Sequence, residues 1–421
     1  MSRKRLRGED VFVAAYDRVA QLYERGDRVI VSTSGGKDST VIMELAVMAA
    51  RDLGKLPVEV LTRDEEIMFP GTYEYLERTA QRTDEIDLHW VIAGQPILNA
   101  FNRFDPYWWV FDPLVEDRWV RSYPGHGDSP QLPGRPAYWI EDKNILDLTG
   151  FGRFPLSGHL GWEDWDDLTP KQRTRRAYSE GRATERARLT VLIGLRTEES
   201  EARYMGLLSS GNYVTSRPMA GGSFKARPVY DWSYRDVWRF IRDFKLDYSS
   251  AYDVMQRYGI DPKYARLAPP TMTAHSINYL PMASKAWPQW WNRVCNRIEG
   301  ARTAAQFGKR AAQPIRSMGE SWQQVVEREL LDRSRIPEWL VSRVQRQVDR
   351  AHKEHAAHST TPLPDEARCP YCFNPISCWK KIAINLYSGD PFGMTTGMEP
   401  IEPEFFRTGA GTWGGKGAAT W

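Results

Sequence analysis

The sequence predicts an α/β fold, a doubly wound and mostly parallel sheet with a large insertion and a helical C-terminal region. Two observations carry that prediction. Short β-branched apolar runs alternate with stretches of helical periodicity from Val11 to about Gly94, and the first run breaks into a glycine pair followed by lysine, "VIVSTSGGKDSTVIM". A buried parallel strand reads as a continuous apolar run, as these do.

"GEDVFVAAYDRVAQLYERG" has apolar residues at helical spacing and stops at Gly26. "RVIVSTS" reads as a strand, and "DSTVIMELAVMAARDLG" as a helix closing at Gly54. "PVEVLTRD", "TYEYLERTAQRT" and "IDLHWVIAG" continue as strand, helix and strand. A βαβαβ series of this kind implies parallel strands with right-handed crossovers. From about Gln95 to Arg186 proline, glycine and tryptophan interrupt the pattern, and a stretch this long reads as an insertion over the sheet's active edge. "LTVLIGLR" reads as the last clear strand and "SYRDVWRFIRDFKL" as an amphipathic helix behind it. The expected division is residues 1–267 for the α/β domain, with its insertion at about 95–186, and 268–421 for a helical region. That region runs through "SWQQVVERELLDRS" and "PEWLVSRVQRQVDRAHKEHAAH" to a cysteine cluster and a glycine-rich tail.

Composition bounds the function. The 421 residues carry a net charge of +3, too little to argue for nucleic acid by itself. The basic run Lys171–Leu189 reads as a solvated face. The sequence offers neither the ~20 apolar residues of a membrane helix nor the apolar core of a secretory signal, so the expected location is the cytoplasm, with no membrane partner. Seventeen tryptophans, including the adjacent Trp108 and Trp109, read as packing residues, although such a pair is hard to bury on one face.

The glycine turn carries the chemistry. A strand feeding a helix leaves unpaired N–H groups at the helix's positive end, which is an anion site. Gly35 and Gly36 let phosphate approach the backbone, and Lys37 adds charge. Ser34 and Ser39 can donate hydroxyl bonds, and Asp38 can orient Mg2+ or its water shell. A simple helix cap would need neither two glycines nor the lysine. The turn satisfies neither the G-x-x-x-x-G-K-[ST] pattern nor G-x-G-x-x-G.

Ser-Gly-Gly-Lys-Asp-Ser after an apolar strand resembles the pyrophosphate loop of the N-type ATP pyrophosphatase (PP-loop) superfamily, whose fold is adenine nucleotide alpha hydrolase-like. "LTRDEEIMFPGTYEYLE", "IGLRTEESEARY" and "RPVYDWSYRDVWRFI" are similar, as a set, to stretches of the phosphoadenosine phosphosulfate (PAPS) reductase family. The resemblance spans about Val11 to Leu267. It implies that Ser34 to Ser39 cradle the β- and γ-phosphates of ATP, or bind PAPS. It places Asp64 toward the nucleotide pocket and gives Arg196 a phosphate or sulfate to clamp. Lys37, Asp38 and Arg196 are the implied catalytic group.

The cysteines bear on the branch. "CPYCFNPISC" supplies Cys369, Cys372 and Cys378 as C-x2-C-x5-C, a metal-site spacing, and Cys295 lies far upstream. The glycine-rich tail lacks the cysteine that a sulfonucleotide reductase of this family uses. The run is similar to those of sulfur-inserting relatives, the DNA phosphorothioation enzyme and the iron–sulfur tRNA thiolases. In the first case Cys295 would be the fourth ligand of a [4Fe–4S] cluster. Zinc is the alternative, with His352, His355 or His358 as a further ligand, although those three at i, i+3, i+6 read as a solvated helix face.

Three functions follow as expectations. The first is adenylation of an acceptor with release of pyrophosphate, serving sulfur transfer or nucleic-acid modification, with a sulfur-donor protein as a possible partner. The second is reduction of a sulfated nucleotide, with Cys295 as the spare thiol. The third is nucleotide binding as a regulatory module with a ParB-like partner.

Overall fold

A computed structural model describes residues 10–91, 96–99, 102–122, 139–140, 189–210, 213–216, 224–267, 279–308, 313–367, 369–370, 372, 376–391, 393, 395–401 and 404–407. The chain divides into two compact units, residues 1–95 with 110–269, and 96–109 with 270–421.

In the first unit, helix α1 (Val11–Glu24) is capped by Asp10, whose carboxylate accepts from Phe12 N at 2.7 Å. Strand β1 (Arg28–Thr33), helix α2 (Lys37–Asp52), strand β2 (Val58–Arg63), helix α3 (Thr72–Ala80) and strand β3 (Ile86–Val91) follow. Helix α2 is buried almost all round, which explains its apolar sequence on every face and places it in the core.

In the second unit a short antiparallel hairpin pairs β4 (Pro96–Leu98) with β5 (Tyr107–Trp109). Strand β6 (Trp139–Ile140) joins β3 in the first unit. Of the expected insertion, residues 96–99, 102–122 and 139–140 are described; its other residues, and the basic run up to Arg188, lie outside the described residues. Strand β7 (Leu189–Leu192) is fully buried beside β1. The sheet does not end there. Strand β8 (Phe224–Ala226) pairs parallel with β7, and at three residues it is too short to announce itself by periodicity.

The six strands run in the order β6-β3-β2-β1-β7-β8, and every pairing is parallel. The chain order places strands on both sides of β1, which is the doubly wound α/β arrangement. In such a sheet the C-terminal ends of β1, β2 and β7 share one edge, and ligands bind beyond that edge where the strand order reverses.

After helix Glu201–Ser210, helices Tyr234–Asp243 and Ala251–Arg257 complete the unit. Ser233 and Asp236 form a reciprocal capping box at the start of the first.

The second unit's core gathers the helices Trp322–Leu330, Glu338–Ala356 and Trp379–Asn385 around Leu340, Val344, Leu363 and Ile376. Trp108 and Trp109 are both buried, contrary to what adjacency suggests. Neighbouring residues of a strand point to opposite faces, and both faces are covered. Trp109 packs in a cluster with Tyr107 and Phe406, and the Arg297 guanidinium lies 5.4 Å above the Trp108 ring. Among the described residues no helix is long and apolar enough to cross a membrane.

Candidate functional site

The junction of β1 and α2 is built for close backbone approach. Gly35 holds φ +71°, the left-handed region, and a Cβ there would lie 2.8 Å from Thr72 Cγ2. Gly36 is the N-cap of α2 and supplies no capping side chain. The loop's own hydroxyls brace it. Thr33 Oγ1 accepts from Gly35 N at 3.1 Å, and Ser39 Oγ donates to the Gly36 carbonyl at 2.8 Å. Ser34 N points at Ser39 Oγ at 3.4 Å. The backbone N–H groups of Gly36 and Asp38 have no protein acceptor among the described residues. Two free amides at the positive end of a buried helix form an anion site.

Gly194, two residues past β7, is a feature that reading the sequence did not single out. A Cβ there would stand 2.7 Å from the Asp38 carbonyl carbon and 2.9 Å from Ser39 N. Only glycine lets the end of β7 lie against the first turn of α2. The glycine before Leu-Arg in "IGLR" was a visible but unspecific signal.

The charges converge on that turn. Lys37 is 1% exposed; its Nζ donates to the Ala265 carbonyl at 2.7 Å and pairs with Asp38 at 3.3 Å. Burial pushes the Lys37 ammonium below the usual lysine range; Asp38 opposes this, and Arg196 and Arg266 reinforce it. Arg196, 2% exposed, donates from Nε to Asp38 at 2.5 Å and to Glu198 and Glu199 at 3.2 Å each. Arg203 pairs with Glu199, and its guanidinium is lowered by burial and then by Arg266. Lys37, Arg196, Arg203 and Arg266 thus outnumber Asp38, Glu198 and Glu199.

Tyr252 is another residue that the sequence reading missed. Its hydroxyl accepts from Lys37 N at 2.9 Å, and its ring lies 5.4 Å from the Lys37 ammonium. It therefore occupies one of the four amides that open the helix.

Asp64 sits just past β2 at the same sheet edge, and its carboxylate is committed locally. It accepts from Glu66 N at 2.8 Å and Trp90 Nε1 at 3.1 Å, and it pairs with Arg121. These contacts brace the loop after β2. Next to it Glu66 adopts φ +54° and holds Phe111 N and Val120 N at 2.7 and 3.1 Å. Between them, burial raises the Glu65 carboxyl to about 7, opposed by Arg63 and reinforced by Asp64.

Tyr230, Asp231 and Trp232 act as locks. Asp231 takes a two-pronged bond from Arg18 at 2.7 and 2.9 Å, the Tyr230 carbonyl accepts from Thr197, and Trp232 donates to the Val11 carbonyl.

In the second unit the four cysteines do not gather as one set. Cys369 and Cys372 come together with His355, their ligand atoms all within 4.8 Å of one another. Cys378 is fully buried, and its thiol donates to the Glu366 carbonyl at 3.3 Å. Cys295 lies on the helix Pro288–Arg297, where burial pushes its thiol up and Arg302 opposes that. His355 faces the core, whereas His352 and His358 are exposed.

A strand–glycine loop–helix junction at the carboxyl edge of a parallel sheet, ringed by lysine and arginine, is the geometry of an anion site in an α/β domain. Residues 28–110 and 157–259 match the phosphoadenosine phosphosulfate reductase domain. Across those residues the chain is similar to that family's domain. It is 25% identical over 307 residues to the uncharacterized protein YbdN of Escherichia coli strain K12, covering 71% of this chain and 68% of that one. It is also similar to the PAPS reductase of Candida auris in a phosphate complex (14% identity, 60% and 93% of the two chains, TM-score 0.26). A further similarity is to the U34-tRNA thiolase NcsA of Methanococcus maripaludis with its [4Fe-4S] cluster (11% identity, 73% and 82% of the two chains, TM-score 0.25).

Proposed function

We propose that this protein binds ATP at the β1–α2 turn and adenylates an acceptor, releasing pyrophosphate. The observation that carries the reading is the pair of unoccupied amides, Gly36 and Asp38, set among four converging cations. An oxygen of the acceptor forms a bond to the α-phosphorus and gives up its proton. The bond from that phosphorus to the bridging oxygen breaks, and pyrophosphate leaves with the electron pair. The charge that grows on the departing group is what the helix terminus, Lys37 and Arg196 stabilise, so catalysis here is positioning and electrostatics.

Asp38 organises the cations. Both its oxygens face them, Nε of Arg196 at 2.5 Å and Nζ of Lys37 at 3.3 Å. A carboxylate committed in this way does not fit a direct magnesium ligand. Binding of the phosphates gives Lys37 and Arg196 a more highly charged partner than Asp38.

Adenylation is favoured over sulfonucleotide reduction by the state of Cys295. A reductase thiol must be accessible and ionise readily, whereas Cys295 is half-buried within the helix Pro288–Arg297, where burial pushes its thiol up and Arg302 only opposes that.

The test measures ATP binding by calorimetry and pyrophosphate release with candidate acceptors, nucleic acids first, for the wild type and for Lys37→Ala and Arg196→Ala. The expected result is ATP binding, acceptor-dependent pyrophosphate, and loss of both in the variants. Sulfite release from PAPS without ATP would replace this reading by the reductase one. Tight ATP binding without turnover over all acceptors would replace it by a regulatory one, with a partner such as a ParB-like protein to be sought.

A further inference from the structure

The cysteine-bearing end of the second unit brings three ligand-type side chains together. Helix Glu338–Ala356 buries Leu340, Val344, Val348, Ala351 and His355 along one stripe, at spacings of three and four residues. His355 is therefore the last residue of a core face, 3% exposed. Its Nε2 lies 2.9 Å from the Thr361 carbonyl oxygen, an acceptor only, so Nε2 carries the proton. The lone pair of a neutral imidazole then lies on Nδ1, which faces Cys372 Sγ at 3.4 Å. Cys369 completes the trio, and both cysteines are about as buried as the histidine. A histidine whose far nitrogen is held by a backbone carbonyl, with its near nitrogen aimed at a pair of thiols, is the arrangement that orients a metal ligand.

The spacing discriminates between metals. A nitrogen and a sulfur on one tetrahedral zinc, at its usual bond lengths, stand about 3.6 Å apart, and two such sulfurs about 3.8 Å. The observed 3.4 Å and the 4.8 Å bound on the trio agree with a single ion. A cubane cluster sets each thiolate on a different iron, further apart, and would draw on Cys378 in C-x2-C-x5-C. Here Cys378 is turned to the Glu366 carbonyl, and a histidine stands in the group instead. The residues do not fit a [4Fe–4S] cluster.

We infer that His355 Nδ1, Cys369 and Cys372 hold one zinc ion, with water at the fourth tetrahedral position. The ion ties the end of the long helix to the segment leading into helix Trp379–Asn385. Metal binding there is folding free energy for the second unit. This inference is independent of the ATP reading, since it concerns different residues and a different measurement.

The test is metal and sulfide analysis of the full chain purified anaerobically, with cobalt substitution and chelator-dependent melting. The expected result is about one zinc per chain and no sulfide. Cobalt should give a tetrahedral visible spectrum with a thiolate charge-transfer band. Zinc is expected to be lost in His355→Ala and Cys372→Ser, retained in His355→Cys, and retained in Cys378→Ser and Cys295→Ser. Melting should fall when a strong chelator removes the ion. The cobalt spectrum and the chelator shift use the wild type, so they decide the matter even where a variant fails to fold. Iron with equimolar sulfide, dependent on Cys378 and indifferent to His355, would overturn the inference. A metal-free chain that takes up neither zinc nor cobalt, its two cysteines titrating as free thiols or a disulfide, would overturn it equally.

Discussion

Gly194→Ala tests the geometry of the phosphate site without touching a charged or hydrogen-bonding side chain. The added Cβ would lie 2.7, 2.8 and 2.9 Å from three backbone atoms of Asp38 and Ser39. Comfortable contacts between such atoms begin at about 3.5 Å, so the end of β7 and the first turn of α2 must separate by nearly 1 Å. Neither side can yield by rotating a side chain, because both are backbone. Overpacking of this kind costs about 1–3 kcal/mol. For a unit of this size each kcal/mol lowers the midpoint by about 2–4 °C, giving a fall of roughly 2–12 °C. Arg196 follows Gly194 by two residues and reaches Asp38 across this contact, so the amides and the guanidinium lose their common focus. A displacement of that size at a reacting centre costs about 100-fold in rate. The assay pairs differential scanning calorimetry with ATP titration and pyrophosphate release. Gly206→Ala serves as control, since a Cβ there meets nothing within 4 Å and it lies in a helix, where alanine is favoured. Wild-type melting and ATP affinity in Gly194→Ala would refute the reasoning.

Three other perturbations follow. Tyr252→Phe frees the Lys37 amide while keeping the ring beside the ammonium, so ATP is expected to bind about 2- to 10-fold tighter, the worth of one net hydrogen bond; an unchanged or weaker titration would show that phosphate does not use that amide. Glu65 holds its proton to about pH 7 when folded but releases it near 4.5 when unfolded, so its contribution is present below pH 4.5 and lost as pH rises through 7. Glu65→Gln, which stays neutral, should then match the wild type at pH 4.5 and out-melt it at pH 8 by at most about 3 kcal/mol; equal melting at both pH values would contradict this. Asp64→Ala strips the Arg121 guanidinium and the Trp90 indole of their carboxylate. It should lower stability by about 3 kcal/mol, at the low end for a broken buried pair because Arg121 keeps some exposure, and Arg121→Met on top should recover part of it in chemical denaturation.

What the sequence made legible was local, and what it hid was long-range. The phosphate turn could be read because a strand, two glycines, a lysine and a helix are consecutive, and each residue's role follows from its neighbours. Tyr252 and the Ala265 carbonyl contact Lys37 across more than two hundred residues, and no local pattern marks them. Asp64 stands where the family resemblance points to the pocket, and its contacts there, Trp90 and Arg121, are partners that only the fold brings near. The histidines show how a true spacing can mislead. Counted among themselves, His352, His355 and His358 form one face; counted with Val348 and Ala351, His355 falls on the buried stripe and the other two do not. The cysteine spacing carries the same ambiguity, because C-x2-C brings Cys369 and Cys372 to one centre while five further residues are enough chain to turn Cys378 toward a carbonyl. A run of ligand-type residues therefore fixes which atoms can meet. The backbone acceptors beside them, Thr361 for His355 and Glu366 for Cys378, decide which do.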